Sequence, residues 1–209
     1  MPRLVKILFL SEFVLGFLYA LSVKGLLPYE DIITPFIHLN REASIPTWFS
    51  SMQLMLVAII CFRIAQSYNQ ESKKVIWCWA LLGMGFLVLS ADEVAGFHEA
   101  IGHASDQLLP GDSRENSAFS RTGIWMIILA PFVLIIFGTL FFQIKQSLSS
   151  IPWSFFKVTI GFAIFLGSAT LLEAYSNFTD RGQIFVLLEE IGEMLGITII
   201  VWGLIPKLK

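Results

Sequence analysis

Apolar residues run along this chain in six long blocks, at residues 4–27, 48–65, 75–103, 123–142, 155–175 and 184–205, with short polar breaks between them. A bilayer core of about 30 Å takes roughly 20 helical residues, so each block predicts one membrane-crossing helix. The breaks at 28–46, 66–74, 105–121, 145–152 and 176–182 carry proline, glycine and charge, which is where turns belong. The pattern predicts an all-α integral membrane bundle of six transmembrane helices, forming a single transmembrane domain over residues 1–209. The first block lacks a short apolar region followed by a small-residue cleavage site, so it reads as a first span rather than a removable leader. Pro131 in the fourth block predicts a kinked packing helix.

Composition agrees with that pattern. Of 209 residues, 56% are hydrophobic and 14% charged, against about a quarter charged in soluble domains. Most of the surface is therefore built to meet lipid. A formal charge of -2 argues against a nucleic-acid partner. Arg3, Lys6, Arg63, Lys73, Lys74, Lys145, Lys157, Lys207 and Lys209 fall at helix ends that share one side. The positive-inside rule makes that side cytoplasmic and both termini internal, as expected of a bacterial cytoplasmic (inner) membrane protein. Trp48, Trp77, Trp79, Trp153 and Trp202 lie near predicted span ends, where interfacial aromatic belts form. Cys61 and Cys78 sit near cytoplasmic ends and read as free apolar residues.

The candidate chemistry is acidic. The third block ends in Ser90-Ala91-Asp92-Glu93-Val94-Ala95-Gly96-Phe97-His98-Glu99-Ala100-Ile101-Gly102-His103. On one continuous helix, Asp92, Glu99 and His103 would project within roughly 40° of each other, with Glu93 and His98 flanking them. The sixth block carries Glu189, Glu190 and Glu193, which fit an arc of about 100°. Gly192 and Gly196 beside that arc would let another helix approach closely. Glu173 lies near the outer end of the fifth block. By the alternating direction of the helices, these groups share the outer half of the membrane.

A charge in the membrane centre costs on the order of 3 kcal/mol, so several carboxylates there need protons or cations. A set of carboxylates with two histidines and no cysteine suits a hard or borderline divalent metal, one or two ions of iron, zinc or manganese. The expected metal ligands are Asp92, Glu99, His103, Glu173, Glu190 and Glu193. Glu93, His98 and Glu189 would orient ligands or move protons as catalytic groups. Carboxylate-bridged centres of ferritin-like bundles use Glu-x-x-His, whereas here Glu99 and His103 are four apart, so their reaction does not transfer.

Asp92 to Glu99 and Glu189 to Met194 resemble the Asp-Glu...His-Glu and Glu-Glu-x-x-Glu-Met segments of uncharacterised bacterial multi-pass membrane proteins, and the resemblance implies no named activity. The leading expectation is a metalloenzyme, hydrolase or oxidoreductase, acting on a lipid or other apolar small molecule at the extracytoplasmic side. The alternatives are a cation- or proton-coupled transporter and a structural subunit of a membrane complex. Two further residues are expected outside the site: Glu12 paired with Arg63 or Lys157, and His38 at the surface of the first outer loop.

Overall fold

A computed structural model describes residues 1–39, 41, 43–68, 73–109, 111, 125–176 and 182–208. Among them every regular element is helical. In chain order these are α1 (Arg3–Val23), α2 (Glu30–Ile37), α3 (Ile45–Gln66), α4 (Lys73–Ala95), α5 (Phe97–Ser105), α6 (Trp125–Ser147), α7 (Pro152–Leu166), α8 (Glu173–Ser176) and α9 (Gln183–Leu204). A six-residue π-helical stretch, Gly167–Leu172, links α7 to α8.

Among the described residues, four segments are long and apolar enough to cross a membrane: Arg3–Val23, Ile45–Gln66, Lys73–Ala95 and Pro152–Leu172. They coincide with the first, second, third and fifth predicted blocks. The other two blocks fall on α6 and on α9, which is set apart by its three glutamates. Two departures concern local structure. The break after the first block contains a helix, α2, and the third block is not one helix but two.

That second departure is caused by Gly96. Its φ of 60° is left-handed, a conformation glycine adopts without the steric cost a Cβ imposes. The α4 ladder closes there with the Gly96 N–H donating to the Asp92 carbonyl at 2.8 Å, and α5 departs in a new direction.

Two antiparallel pairs make the body of the bundle: α3 lies along α4 and α7 along α9, while α9 also touches α3 and α1. The α7–α9 contact is built on missing side chains. A Cβ on Gly196 would stand 2.5 Å from the Phe165 nitrogen, and one on Gly161 would stand 2.7 Å from the Gly196 carbonyl oxygen. Small residues let the backbones meet, the packing favoured where lipid removes the hydrophobic drive for helix association. Phe86 of α4 meets Phe162 of α7 at 5.8 Å between ring centroids, joining the two pairs.

Around this core, apolar side chains such as Leu10, Phe13, Ile59, Leu81 and Val88 point outward, as expected where the solvent is hydrocarbon. One end of the bundle is fastened at Ser147. Its hydroxyl bonds the Tyr68 hydroxyl at 2.6 Å and receives the Trp79 indole N–H at 3.1 Å, and the Lys207 ammonium donates to its carbonyl at 3.0 Å. The last residues of α3, α6 and the C-terminal segment after α9 therefore share one end with the start of α4.

Candidate functional site

The opposite end holds the acidic residues. One turn before them, α3 and α4 are locked by a reciprocal pair of bonds: Ser51 Oγ donates to the Ser90 carbonyl at 2.7 Å, and Ser90 Oγ to the Ser51 carbonyl at 2.9 Å. Within apolar surroundings such bonds satisfy hydroxyls that water cannot reach. They fix the rotation of α4, and so fix which of the next two carboxylates turns inward. Glu93 does, taking a hydrogen bond from the buried Ser50 hydroxyl of α3.

Asp92 turns to the bend instead. Its Oδ1 accepts the His98 backbone N–H at 2.8 Å, and its Oδ2 lies 2.9 Å from the His98 ring Nδ1. The Phe97 N–H also donates to this carboxylate. The first N–H groups of a helix have no partner within it, so an acid placed there both satisfies them and meets the positive end of the helix dipole. Asp92 caps α5 from across Gly96.

This geometry corrects the expected stripe of Asp92, Glu99 and His103. The 100° spacing applies only within an unbroken helix, and Gly96 interrupts it. Asp92 meets His98, which spacing had placed on the far flank. The His103 side chain is 76% exposed, its Nδ1 3.9 Å from Asp106 Oδ2. The side chains of Glu99 and Glu173 lie outside the described residues. On α9, Glu189 is buried, and Glu190 and Glu193 are half-buried. Among the described residues, α4 and α9 do not pack along each other; both pack on α3. No group of three or more histidine, cysteine, aspartate or glutamate side chains among the described residues is placed to hold a metal ion.

The expected partner of Glu12 is also corrected. Glu12 of α1 is 1% exposed, and its Oε1 accepts from Gln53 Nε2 of α3 at 2.7 Å and from Thr198 Oγ1 of α9 at 2.5 Å. Of the two cations expected beside it, Lys157 sits over the Trp202 ring, 4.3 Å from its centroid, and Arg63 is exposed. The signal that could have found this cluster was Gln53, a lone amide in the apolar run of the second block. His38, expected at the surface, is half-buried with its ring edge-on to Tyr19 at 5.2 Å. Burial, and then the nearby Arg41 charge, hold its pKa below the ordinary histidine range.

Fold and site together define a helical membrane protein with its acidic residues gathered at one end of the bundle. Residues 7–205 match a family model described as Domain of unknown function (DUF8692), and the chain belongs to that family. No curated protein matches the chain, and no solved structure does.

Proposed function

We propose that this is a six-span protein of a bacterial inner membrane with both termini cytoplasmic, binding one or two divalent cations in its outer half and acting there on a lipid or other apolar substrate. The span count is supported by the fastening at Ser147. Helix α4 starts at that end and α6 finishes there, α7 starts there again, and the chain after α9 returns to it. The basic residues gather at the same end, which the positive-inside rule makes cytoplasmic.

The cation reading is carried by one observation: Glu93, Glu189, Glu190 and Glu193 are all buried or half-buried within helices of apolar flanks. Water solvates them poorly, and divalent cations favour the ionised form of such groups. The cation ligands proposed are Glu190 and Glu193 of α9, with Glu99, Glu173, Glu93 and Glu189 added on the sequence pattern alone. A metal in such a set supplies a Lewis acid that activates water or, for iron, oxygen. Asp92 and His98 have a different task in this proposal. They hold α5 in place, and with it Glu99.

The test is metal analysis of protein purified without added metal. About one or two equivalents of a divalent metal are expected, falling sharply in Glu190→Ala and Glu193→Ala. Wild-type protein that folds yet carries and takes up no metal overturns the proposal.

A further inference from the structure

Deeper in the bundle than the acidic end lies a second polar cluster. Glu12 is the tenth of the 21 residues of α1, and Gln53 the ninth of the 22 residues of α3, so both sit well inside their spans. With Thr198 of α9 they are each at most 1% exposed. Two donors, the Gln53 amide and the Thr198 hydroxyl, converge on a single oxygen, Glu12 Oε1, and the same Gln53 nitrogen lies 2.8 Å from Thr198 Oγ1. That leaves two oxygens, Glu12 Oε2 and Gln53 Oε1, fully buried with no hydrogen-bond partner.

Buried acceptors without partners are rare because each forfeits its hydration with nothing in return. Turning the Gln53 amide over would not relieve them, since it would set an oxygen 2.7 Å from Glu12 Oε1. Among the described residues no lysine or arginine nitrogen lies within salt-bridge distance of Glu12. The cluster thus offers two unpartnered oxygens, one carboxyl and one amide, an all-oxygen pair that carries one negative charge when Glu12 is ionised. Hard cations take oxygen ligands, and one unit of positive charge would neutralise this one.

We propose that Glu12, Gln53 and Thr198 form a binding site for a small hard monovalent cation, of which sodium is the best fit, separate from the acidic outer end. Glu12 Oε2 and Gln53 Oε1 are the ligand oxygens. Thr198 and the Gln53 nitrogen fix the carboxylate. Because the three residues come from α1, α3 and α9, bound sodium ties the first helix to the bundle core and stabilises the folded chain by mass action.

The test uses the full chain in detergent with a chelator present to remove divalent metals. Radioactive sodium binding and thermal unfolding are measured in sodium chloride and in choline chloride at equal ionic strength. Saturable binding displaced by unlabelled sodium is expected, with a melting temperature that rises with sodium and not with choline. Glu12→Gln should weaken sodium binding by about tenfold or more, while Glu189→Gln should retain it. Wild-type protein that binds no sodium and melts identically in the two salts overturns the proposal and leaves a proton on Glu12. Sodium binding that survives Glu12→Gln, or that is lost in Glu189→Gln instead, overturns it equally. The wild-type comparison stands even if a variant fails to fold. Loss of the divalent-metal reading at the outer end would not affect it.

Discussion

Asp92 grips His98 twice across the bend at Gly96, once at its backbone N–H and once at its ring. The contact makes the position of α5 depend on one carboxylate. Asp92→Ala removes a helix cap, a loss typically costing about 1 kcal/mol. Hydrogen exchange should show the amides of Phe97–Ser105 opening faster, with the body of α4 unchanged. Unchanged exchange in α5 would mean that other contacts hold it.

His38 gives the segment between α2 and α3 a dependence on pH. Its pKa is lowered in the folded chain, first by burial and then by Arg41, so the unfolded chain takes up this proton at higher pH. Its contribution is therefore fully present above the ordinary histidine range and is lost as pH falls through that range toward the folded value. Melting temperatures measured from about pH 7.5 down to about pH 5.5 should fall more steeply in wild type than in His38→Phe, which keeps the ring against Tyr19 without the proton. Parallel curves would refute the assignment.

The contrast between what hydropathy reveals and what it hides is clearest in the third block. Its apolar run predicts α4 to within two residues at the start, because long apolar periodicity reports burial in lipid directly. It does not reveal the end. A glycine inside a helical pattern costs only about 1 kcal/mol and leaves open whether the backbone turns left-handed there. The Asp92–His98 contact follows only once that turn is known. The packing glycines were more legible: Gly196 was expected to admit a neighbouring backbone, and α7 is that neighbour. For Glu12, charge alone favoured a cationic partner. Which residues a lone acid meets depends on how α1 is rotated against α3 and α9, and that is a property of packing no single-helix pattern encodes.

The shared end at Ser147 makes the proposed topology testable by reporters. A fluorescent protein that matures only in the cytoplasm should light when fused after Lys207 or inserted in the turn at Ser149, both at the end where Lys207 reaches the Ser147 carbonyl. The same reporter inserted after Gly111 should stay dark, and a periplasmic enzyme reporter there should be active. A bright insertion after Gly111 would remove a crossing from the scheme.

Two glycine-to-alanine changes separate close packing from helix propensity. At Gly196 the added methyl would meet the Phe165 nitrogen at 2.5 Å and the Gly161 carbonyl oxygen at 2.8 Å, backbone atoms that cannot rotate away. Gly196→Ala must push α7 from α9, a strain expected to cost about 1–3 kcal/mol. Gly85, in the middle of α4, has nothing within 4 Å of its would-be methyl. Gly85→Ala should be neutral or stabilise the helix by up to about 1 kcal/mol. Gly192 falls between, because its methyl would meet only the Ser168 side chain, whose hydroxyl lies 2.2 Å away and can turn to another rotamer. Unfolding of the three variants in one detergent should therefore rank them Gly85→Ala, Gly192→Ala, Gly196→Ala from most to least stable. If Gly196→Ala matched wild type, α7 and α9 would not be in backbone contact, and the bundle would have to be redrawn.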